Sequence, residues 1–138
     1  METMATQHPR NPVYFEGAIF GEALRTYFCA ADIFMLTGDG GLAVNEAMAY
    51  GMPIISPIAD GTIPDLVLDG INGFLLVRED QDEINTTLKT MIELDAKRLE
   101  AMGNASKAII AEKASLSNMV DQFMRCFSIL VADGRGSN

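Results

Sequence analysis

The chain is poor in positive charge, in histidine and in thiols, and each shortage removes a class of function. Ten Lys and Arg face 19 Asp and Glu, for a formal net charge of −9. A surface of that sign suits neither nucleic acid nor an anionic membrane. Any phosphate it bound would be held by backbone N–H groups or by a basic residue from elsewhere in the chain. One His and two distant cysteines, Cys29 and Cys126, cannot assemble a zinc set and form no CxxC, so two reduced, buried thiols are expected. No apolar stretch approaches a membrane span, and the start lacks the charged and apolar regions of a secretion leader. The expectation is a cytoplasmic protein with no integral membrane segment.

What is present is an ordinary globular composition, 49% hydrophobic and 21% charged over 138 residues, enough for one domain with a real core. The chain is organised around Thr37–Gly51, TGDGGLAVNEAMAYG. Before it, Asp32–Leu36 is a short apolar run without polar alternation, as in a strand buried on both faces. Gly38, Gly40 and Gly41 allow a sharp turn and a close approach by another molecule. From Leu42 the residues favour helix, with Leu42, Val44, Ala47 and Met48 on the side facing a sheet. Gly51 followed by Pro53 stops it. Strand, glycine turn and helix N-terminus together make an anion site from free N–H groups and the helix dipole.

Glu46 lies about 7 Å along that helix at 1.5 Å per residue. This is about the offset between a diphosphate and its ribose, whose hydroxyls a carboxylate can accept from. The alternative is an ordinary βα turn with a solvated Glu46.

The remaining pattern alternates strands and helices. Val13–Phe15 reads as a strand, and Glu22–Ala31 as a helix with an apolar stripe of Leu24, Tyr27 and Phe28. Ile54–Ile55 centres a third strand. Thr62 is placed to cap a short helix through Leu66–Leu68, and Phe74–Val77 follows the dense turn Asp69–Gly73. From Asp80 onward the chain is helical, with stripes at Ile84, Leu88, Met91, Ile92 and Leu94, then Leu99, Met102, Ile109 and Ile110, then Met119, Val120, Phe123, Phe127 and Leu130. Gly103 falls within or between helices. The fold class expected is α/β, a mainly parallel sheet of about four strands flanked by helices. The turns after Phe15, Leu36 and Pro57 would gather at the carboxyl ends of the strands, where such sheets bind ligands.

Ala31–Leu76, ADIFMLTGDGGLAVNEAMAYGMPIISPIADGTIPDLVLDGINGFLL, resembles the C-terminal lobe of retaining GT-B glycosyltransferases of the group 1, glycogen-synthase-like kind. The segments EAMAYGMPII, G…DLV and DGINGFLL stand in the family's order and spacing, and the likeness extends over roughly Pro12 to Ser115. It implies a Rossmann-like domain at 13–132, preceded by a loop or helix remnant at 1–12 and followed by a flexible tail at 133–138.

The resemblance implies roles at matching positions. The amides of Gly41 and Leu42 would hold the donor's diphosphate, Glu46 the nucleotide ribose, and Asp65 stands where a glutamate often follows the next strand. Gly38, Asp39 and Gly40 complete the donor-binding turn. The family's first glutamate, which contacts the transferred sugar, should fall at position 38; here it is Gly38, with Asp39 beside it as the candidate substitute or as a helix cap. The family's basic phosphate-binding pair has no counterpart among the chain's Lys and Arg residues, and the acceptor lobe is missing. The chain is therefore expected to be a truncated donor-binding lobe for a nucleoside diphosphate sugar, needing no metal or other cofactor, with little or no transferase activity alone. The alternatives are a binding subunit that partners a separate acceptor lobe, and a non-catalytic interaction domain. An uncovered sheet edge or apolar face predicts self-association.

Overall fold

The computed structural model describes residues 13–38, 41–58 and 61–134, so the expected loop at 1–12 and residues Asp39 and Gly40 lie outside the described residues. The chain divides after Ala30 into two compact units. In the first, Val13, Tyr14 and Phe15 are exposed and form no strand. Residues of high β propensity become a strand only where a neighbour satisfies their backbone, and among the described residues none pairs with them. Gly21, at φ +62°, leads into α1, Glu22–Ala30, whose buried residue is Phe28. Leu24 is half-buried but Tyr27 is exposed, so the expected stripe is narrower by one residue. Cys29, one position beyond Phe28 and therefore turned away from it, is exposed, and so is Cys126; neither is the buried thiol expected.

The second unit is built on a parallel sheet in the order β1 (Phe34–Met35), β2 (Ile54–Pro57), β3 (Gly73–Leu76). These are three strands where about four were expected, the difference being Val13–Phe15. Phe34 stands opposite Ile54, and Ile55 opposite Phe74. All of β2 is buried, as its central place and unbroken apolar run require. β1 is the edge of the described sheet, and its residues are only half-buried, not covered on both faces as expected. β3 begins at Gly73, opposite Ile54, where glycine is needed because a Cβ would stand 2.0 Å from the Ile54 carbonyl oxygen.

The first crossover is α2, Leu42–Ala49. It buries Val44, Ala47 and Met48 completely, while Leu42, expected on the same face, is 81% exposed. Leu42 lies at the helix start, beyond the edge of the surface that α2 covers. At the other end Gly51 adopts φ +79°, its N–H donates to Met48 O (2.9 Å), and the N–H of Met52 donates to Ala47 O (3.2 Å). That pair of bonds is the Schellman ending, and the left-handed residue between them is why glycine stands there. The second crossover holds α3, Ile63–Leu66, which starts directly after Thr62 as expected and buries Ile63 and Leu66. Thr62 holds the N-cap position without a side-chain cap bond, and the helix ends at Leu66 rather than running on to Leu68.

α4 (Gln81–Ile92), α5 (Ala96–Lys113) and α6 (Leu116–Gly134) follow; α6 runs into the expected tail, and 135–138 lie outside the described residues. α4 packs on β3, and α5 packs along α2 and α3. Ile55, Leu76, Met91 and Met102 form a buried cluster, flanked by Met35, Phe74, Ile84, Leu88, Leu94 and Leu99. Two of the expected stripes meet there; Ile92 falls off the face and is exposed. The third does not meet a core at all, for Met119, Val120, Phe123, Phe127 and Leu130 on α6 are all half or more exposed. Gly103 lies inside α5 and is buried. Among the described residues no helix is long and apolar enough to cross a membrane.

The start of α4 shows one strongly held carboxylate. Asp80 caps the helix by accepting from the Glu83 N–H (2.8 Å), and Glu83 reaches back to accept from the N–H groups of Val77 (3.1 Å), Arg78 (2.7 Å) and Glu79 (2.8 Å). These bonds fix a turn in which Glu79 has φ +55°, an uncommon conformation for a side-chain-bearing residue. They lower the Glu83 pKa below the usual glutamate value, the Val77 N–H acting most strongly. A depressed folded-state pKa gives stability that is complete above the unfolded value and is lost as pH falls through the folded one. Glu83→Gln is therefore expected to melt below the parent at neutral pH, with the gap closing as pH falls below about 4. Melting temperatures of both proteins across that range test this, and a gap that stays constant would contradict it.

Candidate functional site

The carboxyl ends of β1 and β2 lead to a cleft of about 610 Å³ between the start of α2, α3 and the end of α5. Gly41, Leu42 and Asn45 line it from α2, Asp65 and Leu66 from α3, and Lys113 from α5. Its α2 wall is a helix start without a cap: Gly41 holds the N-cap position at φ +77°, makes no side-chain cap bond, and no acidic residue occupies the first turn. Amides there point outward with the positive end of the dipole behind them, an arrangement that attracts an anion.

The expected site residues are distributed as follows. Gly41, Leu42 and Asp65 come together on the cleft wall. Glu46 is exposed on α2, one helical turn and about 6 Å along the axis from Leu42, on the same side of the helix but outside the cleft lining. Gly38 precedes the turn at φ +151°, a value that residues with a Cβ rarely adopt, so the turn is shaped for glycine rather than for the glutamate of the resembling family. Asp65 takes part through its backbone as well, because its carbonyl accepts from Lys113 Nζ at 2.6 Å. Among the described residues no three His, Cys, Asp or Glu side chains are grouped as a metal-ligand set.

The lining residues not expected at the site include two polar side chains, Asn45 and Lys113. Asn45 had a signal, since it lies three positions after Leu42 and so on the adjoining helix face. Lys113 had none, because 48 residues separate it from the carbonyl it binds.

The chain matches the profile of the family described as Glycosyl transferases group 1 over residues 2–109. It is 31% identical over 102 residues to the sulfoquinovosyl transferase of Arabidopsis thaliana, covering 70% of this chain and 20% of that protein. The fold superposes on sucrose-phosphate synthase from Thermosynechococcus elongatus with a TM-score of 0.75 at 20% identity, over 96% of this chain and 34% of that one. It also superposes on Anabaena HepE, solved in complex with UDP, with a TM-score of 0.72 at 25% identity over 92% of this chain and 36% of that one. The chain thus spans between a fifth and about a third of the length of each of these proteins.

Proposed function

The chain belongs to the group 1 glycosyltransferase family, and on that premise we propose that it is the donor-binding lobe of a nucleotide-sugar-dependent transferase. In this reading the diphosphate sits at the uncapped start of α2 and Glu46 accepts from the ribose hydroxyls. The carrying observation is the cleft itself, an uncapped helix start opening on space of nucleotide size at the carboxyl ends of two parallel strands. The likeness to HepE, solved with UDP, supports the choice of ligand class.

The reaction read for the whole enzyme is transfer of the sugar with retention at the anomeric carbon. Helix amides would stabilise the departing diphosphate, and the reading gives a metal or other cofactor no role. Aligning acceptor with donor and excluding water needs a second wall. A single open lobe supplies neither, so the isolated chain is expected to transfer sugar weakly or not at all.

One observation favours the alternative of a subunit that partners a separate acceptor lobe. Leu116, Val120, Phe123, Phe127 and Leu130 follow one another at spacings of four and three along α6 and are all half or more exposed. Such a stripe is a face prepared for another body.

Calorimetric titration with uridine and guanosine diphosphates tests the reading. Uptake of at least one is expected, and a folded chain that takes up neither would overturn it.

A further inference from the structure

We propose that Lys113 is a diphosphate-contacting residue of this cleft, supplying a positive charge from the far end of α5. The inference rests on the reading of the cleft as a nucleotide site.

Among the described residues, Lys113 is the one basic residue lining the cleft. Its ammonium carries three N–H donors, and the Asp65 carbonyl takes one of them at 2.6 Å. That bond holds the head group at the cleft that Gly41 and Leu42 also line, while leaving donors for an anion. The need for it is electrostatic. A chain of net charge −9 repels a diphosphate at long range, and Asp65 adds a carboxylate to the same wall. The dipole at the start of α2 is worth only about half a unit charge, so the uncapped amides alone face an opposing field. An ammonium held at the cleft offsets the Asp65 charge. The alternative role of Lys113, a cation near the C-terminus of α5 that ties α5 to α3, accounts for the Asp65 bond without an anion, and the variants below separate the two.

The test compares the parent with Lys113→Gln and Lys113→Arg by calorimetry, titrating uridine and guanosine diphosphates at two ionic strengths. Lys113→Gln is expected to weaken binding about tenfold, as for the loss of one charged hydrogen bond, and to flatten its salt dependence. Lys113→Arg should bind within about threefold of the parent, because it keeps the charge. Parent-like affinity and salt dependence in Lys113→Gln would overturn the inference while leaving the nucleotide reading intact. An equal loss at both ionic strengths, shared by Lys113→Arg, would overturn it too and reduce Lys113 to a tie between helices. If the parent takes up neither diphosphate, the reading and the inference fall together.

Discussion

Asn72→Ala is expected to destabilise the second unit by about 3–5 kcal/mol, through two orphaned backbone groups and a broken side-chain bridge at about 1–3 kcal/mol each. Asn72 is fully buried in the turn before β3. Its Oδ1 accepts from the Leu68 N–H at 2.7 Å, and its Nδ2 donates to Leu66 O at 3.1 Å and to Ser106 Oγ at 3.4 Å. Ser106, also fully buried, passes the chain of bonds on by donating to Met52 O at 2.8 Å. One side chain thus joins the end of α3, the turn into β3, α5 and the segment leading to β2. Such networks hold only when every member is satisfied, and here every buried side-chain polar atom among the described residues has a partner. Asn72→Asp should be as damaging, since it turns an acceptor oxygen toward the Leu66 carbonyl in place of the donating amide and buries a charge. Against a usual domain stability of about 5–15 kcal/mol, the loss is large. Urea unfolding of parent and variants measures it, and a loss under about 1 kcal/mol would show that the turn holds without its amide.

Gly103→Ala is the second large effect, and its sign is opposite to the rule for helix interiors, where alanine gains about 1 kcal/mol over glycine. A Cβ on Gly103 would lie 2.1 Å from the Gly51 carbonyl oxygen and 3.1 Å from its carbon. The obstacle is backbone, locked by the Schellman ending of α2, so it cannot rotate away. α5 would have to withdraw, dragging Met102 and Ser106, both without exposed surface, out of their places. Overpacking of this kind costs about 3 kcal/mol, or roughly 10 °C in melting temperature for a chain of this size. Thermal unfolding decides it, and a variant that melts at or above the parent would mean that α5 has room to move. Gly51 is a useful contrast: a Cβ there meets the flexible Lys107 side chain, so its substitution is penalised chiefly by the left-handed backbone.

These two residues show what could be read from the chain and what could not. NG and YG are written in the sequence as turn chemistry, and the structure puts turns at both. That the Asn72 amide is a hub, or that Gly103 exists to let Gly51 pass, depends on partners 34 and about 50 residues away. Local patterns carried the element types well where one face of an element meets the core, as in α4 and β2. They failed where an apolar run has no such partner: Val13–Phe15 reads as a strand and lies exposed, and the α6 stripe reads as core and faces outward. Periodicity reports that a face is apolar, not what covers it.

The candidate site divides in the same way. The glycine turn and the start of α2 were legible because anion-binding geometry is local to a few consecutive residues. The exposure of Leu42 was not, because helix periodicity does not say where the covering sheet ends. The cation lining the cleft was invisible for the same reason as the Asn72 hub, since it arrives from a helix end far along the chain.

The most direct test of a nucleotide site on α2 is a calorimetric titration of uridine and guanosine diphosphates into the parent and into Glu46→Ala. Glu46 is exposed and outside the core, so the substitution leaves the fold undisturbed. The account predicts that the parent binds at least one diphosphate and that the variant binds it more weakly by about 1.5–3 kcal/mol, the loss of charged hydrogen bonds to a ribose. Equal binding by the two proteins would take the ribose away from Glu46, and a parent that binds neither would contradict the account at its centre.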